Sequence, residues 1–136
     1  MPVKNKAFES LENRFKPIVL EIMTRLETKG WKPQVIEGRR TLAQQKEKVK
    51  KGYSKTMRSY HLTGMAADIC DVRYMWNIPL SHQYWKDQGA IVEELAKQNK
   101  GLQWGGTWGK GYQRYLNYLL GKTKYFVDVA HVELRI

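Results

Sequence analysis

Histidines stand at 61, 82 and 131 of this 136-residue chain, and two of the three have a carboxylate at a spacing that could do chemistry. His61 precedes Asp68 by seven residues in SYHLTGMAADI, and His131 follows Asp128 by three in DVAHVEL. On one uninterrupted strand, that odd spacing would send His61 and Asp68 to opposite faces. Gly64 lies between them and supplies a point where the chain can reverse, so that both reach one spot. Asp68 is flanked by Ala66, Ala67, Ile69 and Cys70. Burying an unpaired carboxylate in so apolar a strand is very costly. A metal ion is one partner that meets the cost, and Lys or Arg is the other. Taken alone, His131 is more simply a satisfied core histidine. Taken with His61 and Asp68, it completes two imidazoles and one carboxylate, which fill three of zinc's four tetrahedral positions and leave one open. Zinc so held polarises a carbonyl and lowers the pKa of a bound water from about 16 to about 7. His82, in LSHQYW, lacks a carboxylate at matching spacing and is expected to be structural or exposed.

These residues need elements to hold them. Phe8, Leu11, Phe15, Ile18, Ile22 and Leu26 recur at three- and four-residue steps, which predicts one long helix closed by Gly30. Residues 31–37 form a short strand with Pro33 near its start, as an edge strand permits. Thr41 caps a second helix that ends at Gly52. After the polar, irregular stretch 53–63, MAADICDV is a buried strand with Cys70 as a small apolar residue on it. A third helix is expected from about Ser81 to Lys100, with Ile91 and Leu95 inward and Gly101 as its stop. GLQWGGTWGKG is too irregular for a regular element, residues 112–120 form a short helix, and KYFVDVAHVELRI is a strand interrupted near Asp128. Helices and strands do not alternate regularly. The fold class is therefore α+β, a single domain over 1–136 with a small antiparallel sheet.

Composition narrows the partners. Twenty-four Lys and Arg against thirteen Asp and Glu give a net charge of +11, so the surface attracts polyanions. Anionic envelope polymers qualify. Nucleic acid as the main partner lacks any recognisable motif. The single cysteine excludes a disulfide framework and a Cys-rich zinc site. There is no run of about 18 apolar residues to span a membrane. The start, MPVKNKAFESLENRF, lacks the apolar stretch of a secretory signal.

The motif S-x-H-x-x-G-x-A-x-D is present as Ser59, His61, Gly64, Ala66 and Asp68, and Asp128-x-x-His131 closes the chain. Together they resemble the LAS-type zinc peptidases, which include D-alanyl-D-alanine carboxypeptidases and dipeptidases and the L-alanyl-D-glutamate endopeptidases of phage endolysins. EGRRTLAQQ is similar to the family's G-x-R-S/T segment, with Arg40 and Gln45 at the expected places, and residues 104–108 are similar to its W-G-G-x-W loop. The resemblance covers roughly residues 34–134. It implies Zn2+ held by His61, Asp68 and His131, with Asp128 as the base and Arg40 as the stabiliser of the oxyanion. An ordinary aspartate, with a pKa near ~4, is ionised at neutral pH and able to accept a proton. A guanidinium carries a permanent charge and several donors. Many family members have glutamate where Asp128 stands; the shorter side chain favours the endolysin branch.

Several residues keep a plainer reading beside the functional one. Arg39 and Arg40 are adjacent, and either could be a solvated surface residue. Ser59 could bond substrate or simply make a turn, and Gln45, at its family position, is a further substrate candidate. Trp104 and Trp108 could line a substrate groove, or pack in the core. Glu133 shares the face of His131 and is either a partner behind it or part of a surface salt bridge. The run KEKVKKGYSK is the wet face of the second helix and its exit loop. The expected function is hydrolysis of the L-alanyl-D-glutamate bond of peptidoglycan by an endolysin. Such an enzyme is made in the host cytoplasm, carries no separate wall-binding domain and acts on the wall after membrane permeabilisation. A D,D-carboxypeptidase or dipeptidase, and a non-catalytic basic envelope-binding protein, are the alternatives.

Overall fold

The apolar ladder near the N-terminus builds two helices rather than the single one its spacing predicts. In the computed structural model, which describes residues 2–54 and 56–136, α1 spans Lys6–Glu9 and α2 spans Lys16–Thr28. Lys55, the last lysine of the basic run, lies outside the described residues, as does Met1. Pro17 is the reason for the break. It lacks an N–H and would strike the carbonyl four residues back, so it is accommodated only in the first turn of a helix. Phe8, Leu11 and Phe15 are buried all the same. The break has a further use, because it frees the Glu12 N–H to donate to the Gly64 carbonyl at 2.9 Å, beside the putting-together point of the site.

Four strands follow: β1 (Pro33–Glu37), β2 (Ala66–Asp71), β3 (Leu102–Trp104) and β4 (His131–Leu134). They form one antiparallel sheet in the order β1-β2-β4-β3, with Pro33 on an edge strand as expected. Two expectations need correcting. The glycine- and tryptophan-rich stretch does contribute a strand, β3, paired to β4. The last strand is confined to four residues, because the segment up to Asp128 runs as a loop whose backbone bonds go to Gly105.

Register decides which side chains meet. Asp68 lies opposite His131 and Ala66 opposite Glu133, so these four share one face. Ala67, Ile69, Val132 and Leu134 point the other way into the core, where α2 packs on α4 (Gln83–Ala96) and α4 on β3. A bulge in β1 between Val35 and Glu37 shifts the pairing by one residue and brings Glu37 opposite Asp68. The helix α3 (Leu42–Lys50) begins at a capping box of Thr41 and Gln44, and Gln45 is its buried residue. A short α5 (Tyr112–Leu119) and a 3-10 turn (Tyr60–Thr63) complete the order. His82 caps α4 by accepting from the Tyr84 N–H at 3.0 Å, so it is structural.

Candidate metal centre

His61 comes from the 3-10 turn, not from a strand. Ser59 caps that turn, its hydroxyl accepting from the His61 N–H, and Gly64 ends it with φ of 75°, a left-handed conformation. The reversal that the sequence requires between His61 and Asp68 is therefore made by this residue. The His61 imidazole lies against Asp68, with Nε2 at 3.3 Å from Oδ1, and the His131 Nδ1 is also 3.3 Å from that same oxygen.

The hydrogen bonds behind the two rings fix which nitrogens face inward. His61 Nδ1 is 2.7 Å from the Gly38 carbonyl. A carbonyl only accepts, so Nδ1 carries a proton and Nε2 is the nitrogen turned toward Asp68. His131 Nε2 is 2.8 Å from Glu133 Oε1, and Arg135 in turn pairs with Glu133. His131 Nδ1 is thereby aimed at Asp68.

His61 Nε2 and Asp68 Oδ1 face each other across 3.3 Å, and both are buried without a hydrogen-bond partner. A buried nitrogen and carboxylate oxygen so placed call for a cation between them. Donors at about 2.0–2.2 Å from a tetrahedral centre lie roughly 3.3 Å apart. The three ligand atoms all fall within 4.8 Å of one another. The residues present fit a zinc ion, with His61, Asp68 and His131 as its holders.

Electrostatics around the set follow from burial and charge. Burial opposes ionisation of Asp68, but the two imidazoles in front of it, His131 before His61, hold its carboxyl far below the usual range. Asp128 is half-buried on the loop before β4, and its carbonyl accepts from the His131 N–H at 3.1 Å. Burial, together with the negative charge of Asp68, pushes its carboxyl up to about 6. Gly105 permits this approach. A Cβ there would sit 2.2 Å from the Asp128 carbonyl oxygen and 3.0 Å from the Cβ of His131.

Arg40 is buried, and its N–H donates to the His61 carbonyl at 2.8 Å. Its Nε donates to Glu37 at 2.6 Å, and another guanidinium nitrogen bonds the Gln45 side chain. Arg39 instead bonds Ser10, away from the site. A cavity of about 610 Å³ holds Arg40, Ser59, His61, Asp68, Trp108, Asp128, His131 and Glu133 on its walls.

Two expected substrate residues are elsewhere. Gln45 is fully buried behind Arg40 and donates to Ser54 and the Thr56 carbonyl, so it positions the arginine rather than touching the cavity. Trp104 is also fully buried, bonded to the Val129 carbonyl and packed against Gly89 and Gly106, where a Cβ would meet its indole. Core packing claims that tryptophan, because β3 turns it inward. Trp108 does reach the cavity, bonded to the Phe126 carbonyl with its ring 5.3 Å from His131. Sequence reasoning missed Glu37, the Gly38 carbonyl and the cavity wall of Trp76 and Phe126. An acidic residue three before Arg40 was the available signal for Glu37; a backbone carbonyl leaves none.

Fold and donor set together define the class: a small α+β domain with a site for a single metal ion on the face of its sheet. The chain belongs to the phage L-alanyl-D-glutamate peptidase family, whose model matches residues 3–135. It is 33% identical over 101 residues to the L-alanyl-D-glutamate peptidase of Listeria phage A118, a match that takes in 72% of this chain and 34% of the relative. The chain thus spans about a third of that relative's length. Its fold is similar to the crystal structure of the Serratia marcescens L-Ala D-Glu endopeptidase ChiX, with a TM-score of 0.63 and 22% identity over 96% of this chain and 84% of the other. Among the described residues no helix is long and apolar enough to cross a membrane.

Proposed function

We propose that residues 1–136 are a zinc metallo-endopeptidase domain that hydrolyses the L-alanyl-D-glutamate bond of peptidoglycan stem peptides in the bacterial wall, as phage endolysins do. The single observation that carries the chemistry is the orphaned pair His61 Nε2 and Asp68 Oδ1 beside His131. Zinc bound there supplies Lewis acidity toward the scissile carbonyl and the attacking water. The Asp128 carboxylate, ionised at neutral pH, takes a proton from that water as its oxygen bonds to the L-alanyl carbonyl carbon. The proton then passes to the D-glutamyl nitrogen as the C–N bond breaks, so the products are a carboxylate and an amine. Arg40 offers its remaining donors to the oxygen that becomes negative during attack. Glu37 and Gln45 hold the guanidinium in place while it does so.

Selection of the bond belongs to the cavity. Arg40, Lys48 and Arg58 line it, and their charge suits a stem peptide with free carboxylates next to D-glutamate. Mass spectrometry of digested peptidoglycan is expected to show new N-terminal D-glutamate and C-terminal L-alanine. Free D-alanine as the main product would assign a carboxypeptidase. Binding to the wall with no new termini would assign an envelope-binding protein.

A further inference from the structure

The strand directions give the cavity two unlike ends. Arg40 follows the C-terminal end of β1, and the 3-10 turn with His61 precedes the N-terminal end of β2. In an antiparallel pair those ends coincide, and Lys48 and Arg58 lie on the same connection. Trp76 follows the C-terminal end of β2, Trp108 follows that of β3, and Phe126 precedes the start of β4. These three ends also coincide, at the opposite end of the strands. At the first end Arg40, Lys48, Arg58 and Arg135 outnumber Glu37 and Glu133, so it is net cationic. The second carries Trp76, Trp108 and Phe126 beside Asp128, with the metal centre between.

Trp76 stands out at the aromatic end, half exposed at 50% while lining the cavity. With Trp108 and the exposed Phe126 on the same cavity it leaves apolar surface beside the metal centre, the kind of patch that marks a ligand groove. The turn that carries it is firmly built. The Tyr74 and Met75 N–H groups both donate to the Asp71 carbonyl, the Asn77 N–H donates to the Tyr74 carbonyl, and Met75 holds φ of 52°. Beneath them, the buried Asp71 carboxylate bonds the Arg73 guanidinium and backbone N–H. The backbone that carries the indole is thus fixed before any ligand arrives.

We propose that this aromatic end is a saccharide subsite, in which the face of Trp76 stacks on the N-acetylmuramyl ring that carries the stem peptide. The inference rests on the peptidase reading. A substrate cut between L-alanine and D-glutamate has its carboxylates on one side of the bond only. On the other side come one alanine and then, through a lactyl amide, an uncharged sugar. The cationic end matches the first side, which directs the second toward the aromatic end. A pyranose face presents C–H bonds with partial positive charge, complementary to the negative face of an indole.

The test compares two substrates, N-acetylmuramyl tripeptide and the same tripeptide carrying only an N-acetyl group, cut by the zinc-loaded chain. The sugar is expected to raise kcat/KM at least tenfold, mainly through KM. Trp76→Ala should bring that ratio close to one, and Trp76→Phe should restore most of it. A second reading does not depend on turnover. The indole N–H resonance of Trp76, identified by its loss in Trp76→Phe, should shift with N-acetylmuramyl-L-alanine and stay still with N-acetyl-L-alanine. Equal rates on the two substrates with no indole shift would overturn the subsite and leave the peptidase standing. An equal loss on both substrates in Trp76→Ala would make Trp76 a peptide contact and overturn it too. No cleavage of either substrate would sink the peptidase reading, and the indole shift would still decide whether the sugar sits on Trp76.

Discussion

Strand β2 carries two buried aspartates three residues apart, and they are solved by opposite means. Asp71 finds its partners within the chain. Arg73 donates from its side chain at 2.8 and 3.0 Å, and the Lys32 and Arg73 backbone N–H groups donate at 2.9 Å. Burial works against its charge, but these donors hold the carboxyl below its ordinary range. Asp68 has two imidazole nitrogens in front of it, each 3.3 Å from Oδ1, and among the described residues neither an arginine nor a backbone N–H bonds its carboxylate. The residue type and strand are the same, and the exposures are 0% and 8%. Of the two partners a buried carboxylate can have, Asp71 has the arginine and Asp68 is left with a place for a cation. An incomplete set of partners marks function; a complete one marks structure.

Exchanging each for alanine should separate the two roles most widely. Asp68→Ala, like His61→Ala and His131→Ala, is expected to lose the metal, and with it several kcal/mol of transition-state stabilisation, at least about a thousandfold in kcat/KM. Elemental analysis and a peptidoglycan turbidity assay read both. Asp71→Ala should keep one metal per chain and lose stability instead, by about 1.5–3 kcal/mol, for its charge-assisted hydrogen bonds. Loss of metal in Asp71→Ala to the same extent would erase the contrast.

Asp128 sharpens the comparison by asking whether a third acid near the centre binds or reacts. Asp128→Ala should retain the metal and the fold yet lose roughly 10²–10⁴ in kcat, the range for a missing general base. Near-normal turnover would pass the role to Glu133. Glu133→Gln tests the support behind a ligand. It weakens the acceptor for His131 Nε2–H, and metal affinity should fall by about 10–100-fold in a competition titration with a chromophoric chelator. No change would leave Glu133 as merely the partner of Arg135.

Much of this contrast is legible in the amino-acid sequence. The apolar flanks of Asp68 posed the question of its partner, and the H-x6-D and D-x-x-H spacings pointed to a cation. Gly64 announced the turn because a left-handed residue is rarely anything else. What stayed hidden depends on contacts distant in sequence. The break in the first helix was legible in Pro17, but the apolar ladder runs through it unbroken and outweighed it. Both tryptophans of the W-G-G-x-W loop look alike as letters. Only the pairing of β3 with β4 sends Trp104 inward and leaves Trp108 at the cavity. Gln45 sits at the family's position but faces the back of Arg40, which spacing along a helix could not show. The bulge that brings Glu37 beside Arg40 likewise exists only once β1 has paired.

The smallest expected effect concerns a proton. In the metal-free chain His131 lies between Asp68 and Glu133, and although burial works against its charge these two acids push its pKa up to about 10. At neutral pH the ring is then protonated on both nitrogens, Nε2–H toward Glu133 and Nδ1–H toward Asp68. A metal takes the Nδ1 position, so it must displace that proton, while the bond to Glu133 survives. Calorimetric titration of zinc at pH 7, in two buffers of different ionisation enthalpy, should therefore show about one proton released per metal bound. Affinity should weaken about tenfold for each pH unit of acidification below neutrality, the slope for one displaced proton. Stability has the opposite sign without the metal. A raised histidine pKa contributes stability that is full below the ordinary value of 6.5 and fades as pH rises through about 10. The metal-free chain should thus lose stability between pH 7 and 10, while zinc binds more tightly over the same interval. Asp71 gives no such dependence there, because its arginine partner stays charged throughout. Binding of zinc with no proton released would mean that His131 is already neutral, and that Asp68 lacks even the proton as a substitute cation.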